Sequence, residues 1–471
     1  MKFAVRAFFV FILICTYQTV PSWGAAPFED FSDRFIDPLK LHGAFWNSEG
    51  TDVVREVVNG KFVSKIKGIT ADNGHLLNQL DFSDPDTINS FSAKIVIQEA
   101  AIDPDFATST WSVGAQLEGV YYKDSSGDVW AGITLGYDGS QWFIACGVNT
   151  PDGYIAGPSF TTTIEPGKEY TVSISYDGTK TFTFEVNDES QVLDGPDRVG
   201  GPESDFRGLT TGIWSNGNGM AAGYIYATFD DIQVNGASYD DFSSPHLSAT
   251  NWWQEELIRE IRSGKMQMDV QDFGDDYTVN AVYVSGEYRT DYLQADLTIS
   301  SATEISDPAI KGYIKVYGSY FNTKYDGITN HYNENDGDIW AGSVLAYKDN
   351  GNPIARAYVY RCDDADCNTG EYLFQQDFSC TTQLDVPATL SVEKRDTTLV
   401  FRCNGSTLSY QLSGTLYPSH WNLRKIRSTI ESSGINTPSY LRATVDNVYI
   451  KKPAPPWNLF LPAILSQHAN K

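Results

Sequence analysis

One five-residue pattern occurs twice in the chain and constrains its fold more than any other feature. The sequence DVWAG at 128–132 returns about 210 residues later as DIWAG at 338–342, and each copy follows a glycine and leads into an apolar run. At the two-residue period of a β-strand, the aliphatic side chains from Val129 to Leu135 share one face, and Trp130 lies on the other face among small residues. The pattern predicts a strand with one core face in each copy, and an opposite face where an indole lies near a carboxylate.

The repeated strand is one of four landmarks that occur in the same order in both halves. Each half also has an Asp-Phe-Ser tripeptide, an Arg-Glu pair between aliphatic residues, and a related closing strand. These further landmarks are 30–32 and 241–243, 54–57 and 258–261, and 227–232 and 443–448. Four ordered matches indicate duplication of a whole domain, since the period is far too long for a solenoid. We predict one domain over 25–236, a second over 237–452, and a Pro-rich, apolar tail over 453–471.

Between the landmarks, short alternating segments are separated by turn residues. Residues 170–176 alternate, and Asp177-Gly178 then turns the chain into 182–186, which is a hairpin pattern. The second half repeats it at 390–393 and 399–403. Helical periodicity is nearly absent, and 419–431 is the best candidate for a helix. We therefore predict an all-β chain of two tandem antiparallel β-sandwich domains.

Four of these features together resemble the concanavalin A-like lectin/glucanase jelly roll. They are the Asp-Phe opening, the Gly-Lys start of a second strand, the hairpin TVSISYDGTKTFTFEVND at 171–188, and the closing strand ATFDDIQV at 227–234. The resemblance covers both halves. It implies two jelly rolls in which the first and last strands pair and a concave sheet holds the ligand. The superfamily includes lectins, carbohydrate-binding modules, glycoside hydrolases and adhesion domains, so the resemblance does not select an activity.

The amino-terminal residues and the charge indicate where the protein works. Residues 1–24 have the pattern of an export signal, with Lys2 and Arg6 before a short apolar run and small residues after it. No later segment approaches the roughly 18–20 apolar residues of a membrane span. The net charge of −26 makes nucleic acid and anionic lipid poor partners, and neutral glycans and divalent cations better ones. We expect a secreted protein, whether extracellular, periplasmic or on the cell surface.

The cysteines are consistent with export. Cys362, Cys367, Cys380 and Cys403 cluster in the second half, and the simplest pairing is Cys362–Cys367 with Cys380–Cys403. A zinc site is the alternative, but the first spacing is loose for a zinc knuckle and no histidine lies nearby. Cys146 alternates with apolar residues, and we interpret it as a small buried residue.

The chain contains no recognisable catalytic motif. Glucanases of the jelly-roll type alternate two Glu and an Asp on one strand, as E-x-D-x-x-E or E-x-D-x-E, and neither spacing occurs here. The six histidines are isolated, and there is no G-x-S-x-G, H-E-x-x-H or phosphate-binding glycine loop. These absences favour a non-catalytic protein. An enzyme with scattered carboxylates is the alternative.

Calcium is the metal that this acidic chain would favour, because it takes several hard oxygen ligands. The jelly-roll resemblance would bring Asp30 close to Asp230, and Asp241 close to Asp446, where first and last strands pair. These four aspartates are the predicted metal ligands. The alternative is that they only cap turns or end surface strands.

The second half supplies the better candidate for a ligand site. Arg356, Tyr358 and Tyr360 share one strand face, with Ala355, Ala357 and Val359 behind, so they would flank Trp340 on an open sheet. In the first half the next strand reads Trp142, Ile144, Cys146, so we expect that face to be covered. The predicted ligand-binding residues are Trp340, Tyr358, Tyr360, Arg356, Asp338, Trp130 and Asp128. Both tryptophans could instead be core residues.

The sequence therefore predicts a secreted, non-catalytic protein that binds an extracellular glycan or another surface polymer. One alternative is a glycan-degrading enzyme, either a glycoside hydrolase or a lyase. The other is a structural envelope or adhesion protein with no sugar ligand.

Overall fold

The computed structural model describes residues 26–451, except 45–49, 73, 106–110, 205, 216–218, 275–276, 286–289, 301–309, 325–334, 348–350, 420–422 and 433–437. The predicted export signal at 1–24 and the tail at 453–471 lie outside the described residues. Every regular element in the described part is a β-strand, so the fold is all-β. That part contains no helix of the length and hydropathy needed to cross a membrane.

The strands of the first half are β1 (Leu41–Ala44), β2 (Asp52–Val58), β3 (Lys61–Ile69), β4 (His75–Asp81), β5 (Ser90–Ile102), β6 (Trp111–Lys123), β7 (Asp128–Tyr137), β8 (Trp142–Thr150), β9 (Gly153–Ala156), β10 (Glu169–Tyr176), β11 (Thr181–Val186), β12 (Glu189–Asp194), β13 (Arg207–Ser215), β14 (Ala222–Val234) and β15 (Ala237–Asp240). Those of the second half are β16 (Leu257–Arg262), β17 (Lys265–Asp272), β18 (Tyr277–Val284), β19 (Tyr292–Ile299), β20 (Lys311–Asn322), β21 (Asp338–Ala346), β22 (Ile354–Cys362), β23 (Gly370–Asp377), β24 (Ala388–Arg395), β25 (Thr398–Cys403), β26 (Ser406–Gln411), β27 (Tyr417–Pro418), β28 (Arg424–Glu431), β29 (Ser439–Leu441) and β30 (Ala443–Lys451).

These strands form three sheets. The long sheet runs β12-β11-β10-β5-β14-β3-β2-β16-β17-β30-β19-β24-β25-β26, with β15 beside β14 and β29 beside β17. The first short sheet runs β4-β13-β6-β7-β8-β9, and the second runs β1-β18-β28-β20-β21-β22-β23, with β27 beside β20. Each short sheet packs on one end of the long sheet and encloses its own apolar core. The architecture is therefore that of antiparallel β-sandwiches.

The strand alternation predicted for the repeated motif is confirmed. Val129 and Ile133 in β7, and Ile339 and Leu345 in β21, are at most 1% exposed and belong to the two cores. Both hairpins also form as expected, since β10 pairs with β11 and β24 pairs with β25. The helix suggested for 419–431 is wrong. Arg424–Glu431 is the strand β28, in which Ile426 and Ile430 point into the core at the period of a strand.

The disulfide pairing is confirmed. Cys362 is bonded to Cys367, and Cys380 is bonded to Cys403, so both bridges lie in the second half near β22 and β25. Cys146 is a buried free thiol, as interpreted from its alternation with apolar neighbours.

Within the long sheet, the antiparallel pair of β2 with β16 joins the two halves. Its centre is Val54 opposite Ile258, flanked by Arg55 opposite Leu257 and Arg259 opposite Val53. This pairing makes the long sheet continuous, and it explains why the junction between the halves needs no spacer. We call this contact the seam.

The Arg-Glu pair that both halves share lies at the seam. Arg55 donates from Nη1 to Asn78 Oδ1 in its own half and from Nε to the carbonyl of Glu255. Arg259 donates from Nη1 to Asn280 Oδ1 and from Nε to the carbonyl of Thr51. Each arginine thus connects an asparagine side chain of its own half to a backbone carbonyl of the other half. The following glutamates point outward, where Glu56 pairs with Arg262 and Glu260 pairs with Lys65.

The opening segment of each half packs against the core of the other half. Glu29 forms a bridge with Val448 of β30, and β1 pairs with β18. Phe31, Ile36 and Leu41 accordingly belong to the second core. In the reverse direction, Phe242, Leu247 and Trp252 belong to the first core, where the Phe242 ring lies 5.7 Å from that of Phe62. The chain thus exchanges two segments across the seam.

Candidate functional site

The predicted aromatic residues of the second half lie together on the outer face of the second short sheet. Trp340 is opposite Tyr360, Gly342 is opposite Tyr358, and Val344 is opposite Arg356. The alternate residues of the same strand, Ala355, Ala357 and Val359, are in the core. Trp340 is half-buried, and its ring lies 5.7 Å from that of Tyr317. Trp130 has the same position in the first half and lies 5.2 Å from Phe206. Neither indole lies between the sheets.

The two aspartates of the repeated motif bond within the chain. Asp128 accepts hydrogen bonds from the backbone of Glu203 and from Ser204, both in the segment before β13. Asp338 is fully buried and accepts hydrogen bonds from Asn322 Nδ2 at 2.9 Å and from Ser319 Oγ at 3.3 Å. These contacts hold the chain beside each tryptophan, and they use the carboxylate oxygens that we had assigned to a ligand.

The expectation that an apolar strand face covers the first half's site is wrong. Cys146 is in the first core, and Trp142 and Ile144 pack against it. The residues of β8 that face outward are instead Phe143, Ala145 and Gly147, because Gly132 is opposite Gly147 in the strand register. Gly132 and Gly147 therefore lie side by side on the outer face of the first short sheet, while the ring of Phe143 lies over Gly136 further along the same strands.

A row of residues across this face brings two carboxylates to the same level. Asp81 of β4 and Glu118 of β6 are both opposite Gly208 of β13. They are two strand spacings apart, or about 9–10 Å between Cα atoms, with no side chain between them. Gly132 and Gly147 continue the row across β7 and β8. We call Asp81, Gly208, Glu118, Gly132 and Gly147 the acid row.

Burial makes both carboxylates of the acid row hard to ionise. It raises the pKa of Asp81 to about 7, the nearby Glu118 adds to the rise, and the hydrogen bond from Gln254 opposes it. Burial also raises the pKa of Glu118, while Thr210, Gln116 and Gln79 oppose that rise. Two acids of this kind repel each other as anions, so a neutral pH leaves the pair with a bound proton or in need of hydrogen-bond donors.

Three polar atoms in and beside the acid row lack a partner. Asp81 Oδ1, Glu118 Oε1 and Thr210 Oγ1 are buried, and none of them makes a hydrogen bond of normal geometry among the described residues. Thr210 belongs to the neighbouring row, where it is opposite Gln79 and Gln116. Buried polar atoms are rarely left unpaired in folded proteins, so these three atoms mark a candidate position for a ligand.

Exposed aromatic residues bound the acid row at both ends. Trp253 is 73% exposed, and its backbone N–H donates to the carbonyl of Asp81, which places it at the edge of β4. Its neighbour Trp252 points into the core, whereas Trp253 lies in the bend that follows and exposes its ring to solvent. At the other end Tyr154 is 60% exposed and covers Gly147, where a Cβ would come within 2.3 Å of its hydroxyl oxygen.

The equivalent face of the second half has the opposite character. Lys425 of β28 is opposite Tyr317 of β20, and Arg427 is opposite Lys315. When strands are matched in sheet order, the pair Lys425 and Tyr317 corresponds to Gly208 and Glu118 of the first short sheet. The pair Arg427 and Lys315 corresponds to Thr210 and Gln116. The first face therefore presents carboxylates and amides, and the second presents cations and tyrosines.

The predicted metal ligands are not assembled in the expected pairs. Asp30 follows the segment that pairs with β30, which holds Asp446, and Asp241 follows β15, which pairs with the strand holding Asp230. The exchange of segments across the seam reverses the expected pairing. Asp30 and Asp241 cap the backbone of the serine two residues on, and Asp230 lies 3.4 Å from Lys61 Nζ.

Calcium binding at these aspartates stays a prediction. In the part of the chain that the structure describes, no three His, Cys, Asp or Glu side chains are grouped closely enough to hold a metal ion. None of the steps below depends on calcium.

Sequence reasoning missed the acid row and its exposed tryptophan. Asp81, Glu118 and Trp253 lie on three separate segments, and no spacing along the chain relates them. Only the alternation in β4 and β6 was available as a signal. It places Asp81 and Glu118 on the strand face that points away from the core, next to the core residues Leu80 and Leu117.

Comparisons with known proteins show distant similarity only. No family model and no curated protein matches the chain. Similar solved structures include a legume lectin-like domain from Entamoeba histolytica, with 14% identity, covering 41% of this chain and 86% of that one at a TM-score of 0.25. Domains LG4-5 of the mouse laminin alpha1 chain have 11% identity and cover 93% of this chain and 100% of that one at a TM-score of 0.21. The Bacteroides ovatus Xyloglucan PUL GH43B has 9% identity and covers 88% of this chain and 100% of that one at a TM-score of 0.24. At such scores these similarities do not bear on function.

Proposed function

We propose that the chain is a glycan-binding protein whose acid row holds a neutral saccharide. The observation that carries the proposal is the pair of carboxylates on either side of Gly208, each with a buried oxygen that lacks a partner. Sugar hydroxyls donate hydrogen bonds, and they would satisfy these oxygens without bringing a charge.

The rest of the acid row suits a sugar ring. An exposed indole such as Trp253 packs on the apolar face of a saccharide, and Tyr154 offers a second such surface at the far end. Glycines between the carboxylates leave the backbone surface open, since Gly132 has only ordinary contacts around its missing side chain. An anionic ligand would be repelled by Asp81 and Glu118, which restricts the ligand class to neutral glycans.

We also propose that the two halves are copies of one ancestral sandwich, with the boundaries 25–236 and 237–452 given above. The matching strand orders support it. The first short sheet runs β4-β13-β6-β7-β8-β9 and the second runs β18-β28-β20-β21-β22-β23 after its added strand β1. Secretion is part of the same proposal, and two disulfides are compatible with an oxidising compartment.

A glycoside hydrolase is the second candidate, and the raised pKa values of the acid row favour it. An acid that stays protonated near neutral pH can protonate a leaving group, and a second carboxylate can activate water. Carboxyl groups of inverting glycosidases lie roughly 6.5–9.5 Å apart, a range that side chains two strands apart can reach. On this reading Asp81 and Glu118 would share the roles of acid and base.

The proposal is tested by binding of the full chain to an array of neutral oligosaccharides. Glu118→Gln keeps the size of the side chain but removes the charge, and Trp253→Ala removes an exposed ring that supports no core contact. We expect each variant to lose at least tenfold in affinity for the best ligand, because Glu118→Gln replaces an acceptor oxygen with an amide donor and Trp253→Ala removes the stacking surface. The matched control is Tyr360→Ala, which alters the other face. Affinity unchanged by both first-face variants would refute the proposal.

The same ligands separate binding from hydrolysis. If the chain only binds, no reducing ends appear on incubation with the saccharides that the array identifies. Release of reducing ends that stops in both Asp81→Asn and Glu118→Gln would replace the binding proposal with the hydrolase.

A further inference from the structure

Three cations form a cluster on the outer face of the second short sheet. Lys315 of β20 and Arg427 of β28 are directly opposite each other, and Lys425 is the next outward residue along β28. Like charges opposite each other on neighbouring strands destabilise a sheet. A chain with a net charge of −26 has many carboxylates with which to separate or pair them. The grouping is therefore not explained by folding.

No ion pair to these three cations is formed within the part of the chain that the structure describes. Among the described residues, no carboxylate lies within ion-pair distance of Lys315, Lys425 or Arg427, whereas Arg356 on the same face pairs with Asp377. Arg427 Nε donates to Thr429 Oγ1 at 2.7 Å, and Glu431 accepts from Tyr313. Burial, reinforced by the charge of Arg427, holds the pKa of Lys315 well below its usual value and lowers that of Lys425 to about 8.

An independent observation at the same place also indicates an acceptor from outside. The indole Nε1 of Trp340 is buried and lacks a hydrogen-bond partner among the described residues, and Lys425 Nζ lies 5.0 Å from the centre of that ring. The indole N–H can only donate, as can the ammonium groups beside it. The unpartnered groups at this place are thus all donors, which an anion would satisfy.

Aromatic rings surround the ammonium groups. Lys315 Nζ lies 4.4 Å from the ring centre of Tyr317 and 5.4 Å from that of Tyr358, and Lys425 Nζ lies 4.4 Å from that of Tyr283. The rings hold the cations in place by cation–π contacts, which keeps them directed to one region. Tyr372, at the edge strand β23, is 61% exposed and extends the aromatic surface outward.

We propose that this face binds an anionic saccharide, with sulfate or carboxylate groups on the cation cluster and Trp340 Nε1, and sugar rings on the tyrosines. A saccharide accounts for both the donors and the rings, since a simple inorganic anion would need no aromatic surface. Nucleic acid would need many backbone contacts against the repulsion of a strongly acidic chain, and the cluster has three cations. The proposal concerns a different face from the acid row, so either can fail while the other holds.

The test measures binding of the full chain to dextran sulfate and to polygalacturonate, with neutral dextran for comparison. We expect binding to at least one polyanion, weakened as the salt concentration rises, and none to dextran. Lys425→Gln and Arg427→Gln should each weaken it at least tenfold. Lys168→Gln, which removes an exposed cation of the first half, is the charge-matched control and should bind normally. The two polymers distinguish sulfate from carboxylate as the recognised group.

Stability measurements keep the test decisive. Removal of a cation without a counterion should leave the melting temperature of Lys315→Met equal to or above that of the wild type, while binding is lost. Polyanion binding unchanged in Lys425→Gln and Arg427→Gln, or equally strong binding of single-stranded DNA, would overturn the proposal. So would failure of the wild type to bind either polymer.

Discussion

A single missing side chain defines the acid row. A Cβ on Gly208 would lie 2.8 Å from Asp81 Oδ1 and 2.3 Å from the carbonyl of Leu80, so any larger residue would displace the carboxylate. With glycine at this position, Asp81 and Glu118 face each other across an open strand. The two raised pKa values follow from this arrangement, because neither acid has a cation close enough to compensate its burial fully.

The first prediction is that Asp81 makes the stability of the protein depend on pH, and that Asp81→Asn weakens this dependence. The pKa of Asp81 is about 7 in the folded protein and 3.8 in an unperturbed aspartate, so the folded state binds more protons between these limits. The free energy of unfolding therefore falls as the pH rises from about 4 to 7. Glu118 adds to this effect, while Arg55 and Gln254 oppose it. Asp81→Asn removes the contribution, which we put at about 1–2 kcal/mol because part of the Asp81 side chain still reaches solvent.

Melting curves of both proteins at pH 5 and pH 8 check this prediction. Asp52 and Asp269, whose pKa values burial also raises to about 7, give both proteins a common trend. Only the difference between the proteins isolates Asp81. Equal shifts of the melting temperature in the two proteins would show that Asp81 is ionised normally.

Alternation predicted which way individual residues point, but not which groups they contact. Trp130 and Trp340 lie on the sheet face that points away from the core, as the two-residue period of a strand predicts. Asp128 and Asp338 were assigned to a ligand, although their hydrogen-bond donors belong to Ser204 and to Asn322. Contacts between distant segments follow from tertiary packing, which the pattern along one strand does not contain.

The strands themselves could be predicted well because each has one buried face. The helix expected at 419–431 is wrong, because the residues of β28 alternate between the core and the outer face as a strand does. This error concealed Lys425 and Arg427, which are two of the three cations on the second face. The exchanged segments could not be predicted either, because an apolar residue such as Phe31 fits either of two similar cores.

At the scale of elements, the seam depends on its buried arginines. Arg259 is fully buried and donates to the carbonyls of Gly50, Thr51 and Ala281 and to Asn280. We expect Arg259→Met to lower the free energy of unfolding by about 3–5 kcal/mol, because it leaves several buried acceptors unpaired. Arg262→Met is the control, since its ion pair with Glu56 is partly exposed and should contribute no more than about 1 kcal/mol.

Urea unfolding of both variants checks the prediction for the seam. The transition midpoint should fall clearly for Arg259→Met and hardly at all for Arg262→Met. A similar small change in both would mean that the backbone pairing of β2 with β16 is sufficient to hold the halves together.

The whole molecule presents two corresponding faces of opposite character. Where the first short sheet has Gly208 and Glu118, the second has Lys425 and Tyr317, at the same places in the strand order. The overall acidity of the chain hides this difference, since the net charge sums over both faces. If both proposals hold, one chain would engage a neutral and an anionic saccharide at once, which raises its avidity for a surface that carries both.

Binding of a saccharide at the acid row can be measured by hydrogen exchange of the full chain, with and without the neutral oligosaccharide that the array identifies. We expect slower exchange in peptides from β4, β6 and β13 and around Trp253 when the saccharide is bound, and no change in β20 and β28. Protection confined to β20, β21 and β28, or absent from β4 and β6, would contradict this expectation.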